Sequence, residues 1–468
     1  MTFTLNIVIA MANNFLFGTS DNKLPWPKEN YKEDLQHFRK LTSNTTKINY
    51  LICGFRTYLS MKGLKLKNRR LIVINRDAIN LEYTSENGPI MAKNFDIAIK
   101  LCKEHVESNI CDKVFVIGGR KCIEEAMNSS ENKKLYLTLI KKSFKNGDVF
   151  LNPELFEKCR IITSDKIRDM QFCEYDFTNK RHSEYQYLDV IQRILDEGID
   201  CDDRTGVGIR SIFGVQMHFD LSKEFPLLTT KKMFTRGITE ELLWFLRGET
   251  DAKILQEKNV HIWDGNSTRD FLDKVGLHHL EEGDIGAAYG FQFRHFGTEY
   301  KDCHTDYSGK GFDQVEYVLN EIKNNPNSRR ILLSLWNPPY LKKAVLPPCH
   351  LLYHFRVYND TLSCSMYQRS GDIGLGVPFN IASASLMTYL FAHLTGLKPG
   401  KLVHTIGDAH IYNNHLEAMK TQIQRKPLPF PQLKIKNREQ KKVEDYMASD
   451  FEVLGYISYD RISMDMAV

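Results

Sequence analysis

The fold class this chain predicts is an α/β N-terminal domain with a mixed, mostly parallel sheet, followed by an α+β C-terminal domain. Three observations carry it. Over residues 1–180, short apolar runs rich in β-branched residues alternate with stretches of helical spacing. At "TNKRHSEYQYLDVIQRILDEG" a short polar junction leads into one amphipathic helix. Over residues 181–468, long helices and strands mix without regular alternation. Alternation implies parallel strands, because a crossover helix is needed to bring the chain back to the same sheet.

In order, the strands of the first domain read as "NIVIAMA", "INYLICG", "RRLIVIN", "KVFVIGG" and "KLYLTLI", each bounded by Gly, Asn or charge. Between them, "YKEDLQHFRKLT", "DIAIKLCKEHV" and "RKCIEEAMNS" hold apolar residues near helical spacing. "CRIITSDKIRD" and "MQFCEYDF" close the domain as a strand pair. The second domain has helices at "ITEELLWFLRG" and "SASLMTYLFAHLTG" and strands at "RRILLSLWN", "LLYHFRVYND" and "TLSCSMYQRS".

Composition narrows the class. The chain has 468 residues, 42% hydrophobic and 26% charged, enough to build cores without a disulfide or metal staple. The net charge of +5 suits an anionic ligand, but no basic stripe points to nucleic acid. The first apolar run, "LNIVIAMA", has no basic lead and is too short to span a bilayer, so it reads as a buried strand. Ten cysteines are scattered with no CxxC pair, so no metal site is expected and the thiols read as reduced. A cytoplasmic location follows as an expectation.

Within the first domain, "VFVIGG" ends a strand on Gly118 and Gly119, where backbone can approach a phosphate at a helix start. A glycine pair alone is more often a plain turn. "LICGFRTYLS" adds Gly54, Arg56 and Thr57 at a second such turn, and Arg76 follows "LIVIN". In "KLPWPKENYKEDLQHF", Asp34 lies four residues before Phe38, on one helix face.

These pieces, with "NNFLFGTSDNKLPWP", "NRRLIVINR", "LYLT" and "GDVF", resemble dihydrofolate reductase. The resemblance implies that Asp34 is the pocket carboxylate that binds the pterin and supports its protonation, connected to Thr138. It implies a folate pocket of Val8, Ile9, Phe38 and Ile117, with Arg69 pairing the glutamate carboxylate. Ala10, Gly18, Gly54, Arg56, Thr57, Arg76, Gly118 and Gly119 fall at NADPH-contacting positions. Phe55 and Ile123 stand where the family has a basic and an aromatic residue.

In the second domain, Cys349 in "LPPCHLLYHF" precedes a strand behind Pro347 and Pro348. Arg204, Arg329, Arg330 and Arg369 stand in "DRTGVG", "NSRRILL" and "YQRSGD". Converging arginines would bind a dianionic phosphate and would lower the pKa of a nearby thiol, whose thiolate is the nucleophile. The ordered blocks "FPLLTTKK", "ELLWFLRGET", "IWDGN", "GAAYGFQFRHFG", "YQRSGDIGLGVPFNIAS", "HTIGDAHIYNNH" and "MDMAV" closely resemble thymidylate synthase.

That resemblance implies Cys349 as nucleophile on dUMP, with Glu241, Tyr289, His350, Arg369 and Asp372 in the chemistry. Arg204, Gln368, Arg369, Ser370, Asp372, Asn380, His410 and Tyr412 would bind dUMP. Arg329 and Arg330 would reach the site of a partner subunit, so a homodimer is implied. Trp263, Asn266 and Gly376 would lie along the folate, 5,10-methylenetetrahydrofolate being co-substrate. The whole chain resembles the fused reductase–synthase of protists and plants, with consecutive activities. The alternative is a synthase whose front domain does not catalyse. Lys65, Lys67 and Lys231 prompt a further expectation, that dihydrofolate moves along a basic surface between the sites.

Overall fold

The structure, a computed structural model, describes residues 3–64, 66–85, 88–436 and 442–466. Lys65, and Ala467 and Val468 of the C-terminal block, lie outside the described residues. The chain forms two compact units. The first is Met1–His182 with Leu428–Gln432 and Leu454–Ile457; the second is the remainder. Those two late stretches join the first unit without any local sequence signal.

The first unit is built on β1 (Leu5–Ala12), β2 (Leu16–Gly18), β3 (Ile48–Gly54), β4 (Arg69–Ile74), β5 (Leu81–Tyr83) and β6 (Ile90–Ala92). It continues with β7 (Cys111–Gly118), β8 (Lys133–Ile140), β9 (Val149–Phe150), β10 (Cys159–Ile167) and β11 (Met170–Phe177). Nine of these form one sheet in the order β10-β11-β8-β1-β7-β3-β4-β6-β5. Its centre is parallel, with β1 between β7 and β8 and β3 between β7 and β4. Both edges turn antiparallel, at β8-β11-β10 and at β6-β5.

Helices α1 (Lys32–Thr42), α2 (Phe55–Met61), α3 (Phe95–Glu107) and α4 (Arg120–Asn128) occupy the connections. A sheet covered on both faces explains the near-continuous apolar runs of β1 and β3. α3 starts where the Asn94 side chain accepts the Ile97 N–H at 2.9 Å. Strands β2, β5, β6 and β9 escape the sequence because two or three residues carry no periodicity.

The second unit holds β12 (Ile199–Cys201), β13 (Ile209–Asp220), β14 (Leu332–Ser334), β15 (His350–Tyr358), β16 (Thr361–Asp372) and β17 (Lys398–Tyr412). They form one sheet, β12-β13-β17-β16-β15-β14, parallel only at β16–β17. Its helices include α5 (Tyr185–Glu197), α6 (Thr235–Leu246), α7 (Lys253–Gln256), α8 (Asp264–Ser267), α9 (Arg269–Lys274), α10 (Tyr289–Arg294), α11 (Gln314–Asn324) and α12 (Gly376–Thr395). α12 makes the single crossover from β16 to β17 and is apolar on nearly every side, as a core helix must be. It stops at Gly396, whose φ of 73° is a left-handed cap. The expected strand "RRILLSLWN" shrinks to β14, leaving Arg329 and Arg330 in the exposed turn before it. Among the described residues, no helix is long and apolar enough to cross a membrane.

The start of α5 is tied down by Glu184, which is wholly buried. Its carboxylate accepts the N–H and hydroxyl of Thr229 at 2.9 and 2.6 Å, and those of Thr230 at 2.9 and 2.7 Å. Glu184→Ala strands these donors inside the unit. The expected loss is roughly 3 kcal/mol of synthase-unit stability, read by urea unfolding.

Candidate active sites

In the first unit, two strand-to-helix turns meet. β3 ends at Gly54, where α2 begins, and β7 ends at Gly118, where Gly119 caps α4. A Cβ added at Gly54 would lie 3.8 Å from the Gly119 nitrogen, and one at Gly119 would lie 3.2 Å from Thr57 Oγ1. Gly118 has φ of 129°, a backbone that side chains rarely adopt. Gly54, Thr57, Gly118 and Gly119 therefore form one cradle, tightest at Gly119. Phe17, next to Gly18, reaches it, 3.8 Å from where a Gly118 Cβ would sit. Arg56 and Arg76 are exposed beside these turns.

Asp34 lies in the first turn of α1 and turns inward. Burial raises its pKa, and a hydrogen bond from Thr138 partly offsets that. Thr138 is buried on β8 opposite Ala10 of β1, so β1 brings Val8, Ile9 and Ala10 alongside. Val8, Phe38 and Ile117 are half-buried, as pocket walls are. One more turn of α1 adds Thr42, whose hydroxyl donates to the Phe38 carbonyl at 2.8 Å and accepts from Arg69 at 3.0 Å. Arg69 Nε is buried with no hydrogen-bond partner, a donor suited to a ligand carboxylate. Thr42 and Phe17 were missed. Thr42 had a signal, since Asp34, Phe38 and Thr42 repeat every four residues. Ile123 is fully buried in α4 and packs as core, whereas Phe55 is exposed.

In the second unit, Cys349 sits between Pro348 and the first residue of β15. Arg369 of β16 grips that approach. Its Nε donates to the Pro348 carbonyl at 2.9 Å, and its Nη2 to the Pro347 carbonyl at 2.8 Å. The same Nη2 lies 3.7 Å from Cys349 Sγ. Arg204 also acts on the thiol and lies over the Phe271 ring at 5.9 Å. The arginines pull the thiol pKa down as expected, but the net shift is upward. Burial pushes Cys349 up by more than Arg369, Tyr289 and Arg204 together pull it down.

Around Cys349 lies a wall of rings and buried acids. The Tyr289 hydroxyl accepts the Cys349 N–H at 2.9 Å, and its ring lies 4.6 Å from His350 and 4.8 Å from Phe245. Burial holds the Tyr289 phenol protonated and lowers His350 to about 4. Burial raises Glu241 of α6 to about 7, although Trp263 Nε1 donates to it at 2.8 Å. Trp263 caps α8, which holds the buried Asn266.

Gln368 donates to Asn380 Oδ1 and to the Ser370 carbonyl, both at 3.0 Å, and is held by His404 at 2.9 Å. Asp372 accepts the Gly374 N–H at 2.8 Å and the Leu375 N–H at 3.2 Å, so it stands at the start of α12 beside Gly376. The β16–β17 register sets Asp372 opposite His410, whose ring lies 5.3 Å from Tyr412. Arg329 and Arg330 are exposed, and neither is among the charges acting on Cys349. His404 and Tyr353, both buried, were missed. Lys231 is corrected. It is 5% exposed rather than on a basic surface, and its ammonium donates to the Gly374 carbonyl.

Residues 4–182 match the dihydrofolate reductase family model, and residues 185–468 match that of thymidylate synthase. The class is therefore a folate-dependent enzyme with two fused domains. The chain is 45% identical to the bifunctional dihydrofolate reductase-thymidylate synthase of Paramecium tetraurelia, over 99% of both chains. It is 42% identical to the bifunctional enzyme of Zea mays, over 99% of this chain and 96% of the other. Human thymidylate synthase is 56% identical over 61% of this chain and 91% of its own. The chain belongs to the bifunctional dihydrofolate reductase–thymidylate synthase family.

It carries both activities: reductive methylation of dUMP to dTMP with 5,10-methylenetetrahydrofolate, and NADPH-dependent reduction of the dihydrofolate formed. The alternative of a front domain without catalysis is set aside.

The raised pKa of Glu241 has a measurable consequence for stability. The folded chain binds its proton more tightly than the unfolded chain. Its stabilising contribution is full below pH 4.5 and is lost as pH rises to about 7. Glu241→Gln removes that dependence and stabilises the synthase unit at pH 8 by up to about 3 kcal/mol. Urea unfolding at pH 5 and pH 8 reads the difference.

Proposed function

We propose that the reductase occupies residues 1–180 and the synthase residues 181–468, with roles assigned as follows. In the synthase, the Cys349 thiolate attacks C6 of the dUMP uracil, which makes C5 nucleophilic and divides one hard step into easier ones. Arg369 and Arg204 hold the phosphate, and their charge favours the thiolate once substrate is bound. Ser370, His410 and Tyr412 bind the nucleotide. Asn380, oriented by Gln368, reads the uracil edge, so cytosine leaves a buried polar group unpaired. Asp372, Trp263, Asn266 and Gly376 position the folate. A Glu241 carboxyl near neutrality exchanges protons in both directions, with His350, while Tyr289, itself protonated, relays the C5 proton to water, passing on its own hydrogen as it takes the new one. The observation that carries this reading is the Arg369 fork on the two prolines and sulfur of Cys349.

In the reductase, Asp34 binds the pterin amidine and supports its protonation, with Thr138 fixing the carboxylate. Phe38, Val8, Ile9 and Ile117 hold the ring, and Arg69 takes the glutamate carboxylate with its unpartnered Nε. The glycine cradle fits a pyrophosphate, since two strand-to-helix turns meet there and Gly118 and Gly119 let backbone approach closely. Gly54, Thr57, Gly118 and Gly119 would hold it, with Ala10 and Gly18 along the cofactor and Arg56 and Arg76 at its phosphates. NADPH supplies the hydride when bound.

The synthase works as a homodimer in which Arg329 and Arg330 complete the partner's phosphate site, which accounts for their exposure here. Exposed apolar residues on its sheet, Phe213 at 86% and Tyr367 at 39%, favour a partner surface. Its location is cytoplasmic, with no membrane or nucleic-acid partner required.

Near-ultraviolet absorbance tests the two sites in one cuvette. With dUMP and methylenetetrahydrofolate, absorbance rises; adding NADPH turns the rise into a fall. Cys349→Ser removes the rise by a factor on the order of 1000 or more and spares the reductase. Asp34→Asn slows dihydrofolate reduction by about 100-fold or more and spares dTMP formation. A rise that NADPH cannot reverse would overturn the reductase roles. Mixing Cys349→Ser with Arg329→Ala/Arg330→Ala chains should restore about a quarter of wild-type synthase activity, because half the dimers then hold one complete site. No recovery on mixing would reject the shared site.

A further inference from the structure

The assigned roles leave one buried group beside Cys349 unused. Tyr353 is 4% exposed on β15, and its hydroxyl lies 2.6 Å from His350 Nδ1. Residues three apart on a regular strand point to opposite faces. Here the pairing with β16 shifts between His350 and Leu352, an irregularity that restores His350 to the face of Tyr353. The strand is thus bent in a way that brings these two rings together, immediately after the nucleophile.

The proton in this contact can be placed. Burial keeps the Tyr353 phenol protonated and the His350 imidazole neutral. A neutral imidazole carries one N–H and one bare nitrogen. The phenol has a hydrogen to give, and when it donates to Nδ1 the ring hydrogen is left on Nε2. Around the pair, the Tyr289 ring lies 4.6 Å from His350, the Phe293 ring lies 6.2 Å from Tyr353, and the Glu241 charge acts on Tyr353. His350 in turn acts on His404, two strands away on β17.

We infer that Tyr353 is a positioning residue for the synthase: through its hydrogen bond to Nδ1 it holds His350, beside Cys349, as a neutral Nε2–H donor. Without that bond the ring can carry its hydrogen on either nitrogen and can turn about its bond to the backbone. It would then present a lone pair as often as a donor to the nucleotide. The inference rests on Cys349 being where dUMP reacts.

The test is Tyr353→Phe in the full chain, with the reductase rate of the same sample as a check of integrity. dTMP formation should lose about tenfold in kcat, with the KM for dUMP changed by about twofold or less. In a His350→Ala background, Tyr353→Phe should cost nothing further, because it acts through His350. A loss that persists in that background would overturn the inference, since the hydroxyl would then serve packing alone. Nitrogen-15 spectra of the free wild-type protein give an independent reading. His350 should show a bare Nδ1 and a protonated Nε2, and a hydrogen on Nδ1 would reject the inference. That spectrum needs no substrate. Failure of Cys349 to form an adduct with 5-fluoro-dUMP and methylenetetrahydrofolate would instead reject the site on which the inference stands.

Discussion

The synthase unit depends on one guanidinium. Arg369 donates to the carbonyls of Pro347 and Pro348 and reaches the sulfur of Cys349. Prolines restrict the turn and remove its N–H donors, so the carbonyls are the part of that segment free to be gripped. A planar fork holds both carbonyls in a fixed geometry, which a rotating lysine ammonium does not impose. Backbone pairing completes the clamp, since the Arg369 N–H donates to the Cys349 carbonyl at 2.9 Å. The thiol is thus placed by a strand, a fork and two prolines before any ligand arrives. The same fork supplies positive charge beside the sulfur, so placement and electrostatics share one residue.

Both units also keep a carboxyl group in a dry place with one hydrogen-bond donor. Asp34 has Thr138 and Glu241 has Trp263. One donor is too little to offset desolvation, so each acid is raised. This is an arrangement that stability alone would not choose, because burying an acid without a cation is unfavourable. Glu184 makes the contrast. It is wholly buried and its pKa is raised as well, but four donors from Thr229 and Thr230 surround it and tie down the start of α5.

Much of the fold was legible because strong periodicity needs no tertiary context. β1, β3, β7 and β8 lie where their apolar runs stand, and α1, α3 and α4 where helical spacing places them. Two long strands, β13 and β17, gave no such signal. Gly214 interrupts the first, Gly400 and Gly407 the second, and only pairing with neighbours holds them extended. Arg329 and Arg330 were read inside a strand, yet the strand starts two residues later because the preceding turn is closed by its own hydrogen bonds.

Residue identity and order by themselves pointed to two domains, to Cys349 as the proposed nucleophile, to Asp34 as the proposed pocket acid and to the glycine pair, since each is a local choice of chemistry. Tertiary structure alone decided the protonation of these groups and who assists them. Desolvation depends on every neighbour at once, so the raised thiol of Cys349 and the poised carboxyl of Glu241 could not be read from arginines and tryptophans counted along a line. The link between Tyr353 and His350 likewise exists only because an irregular strand register turns one ring toward the other. A sequence lists the donors and acceptors; which of them share a proton is settled by packing.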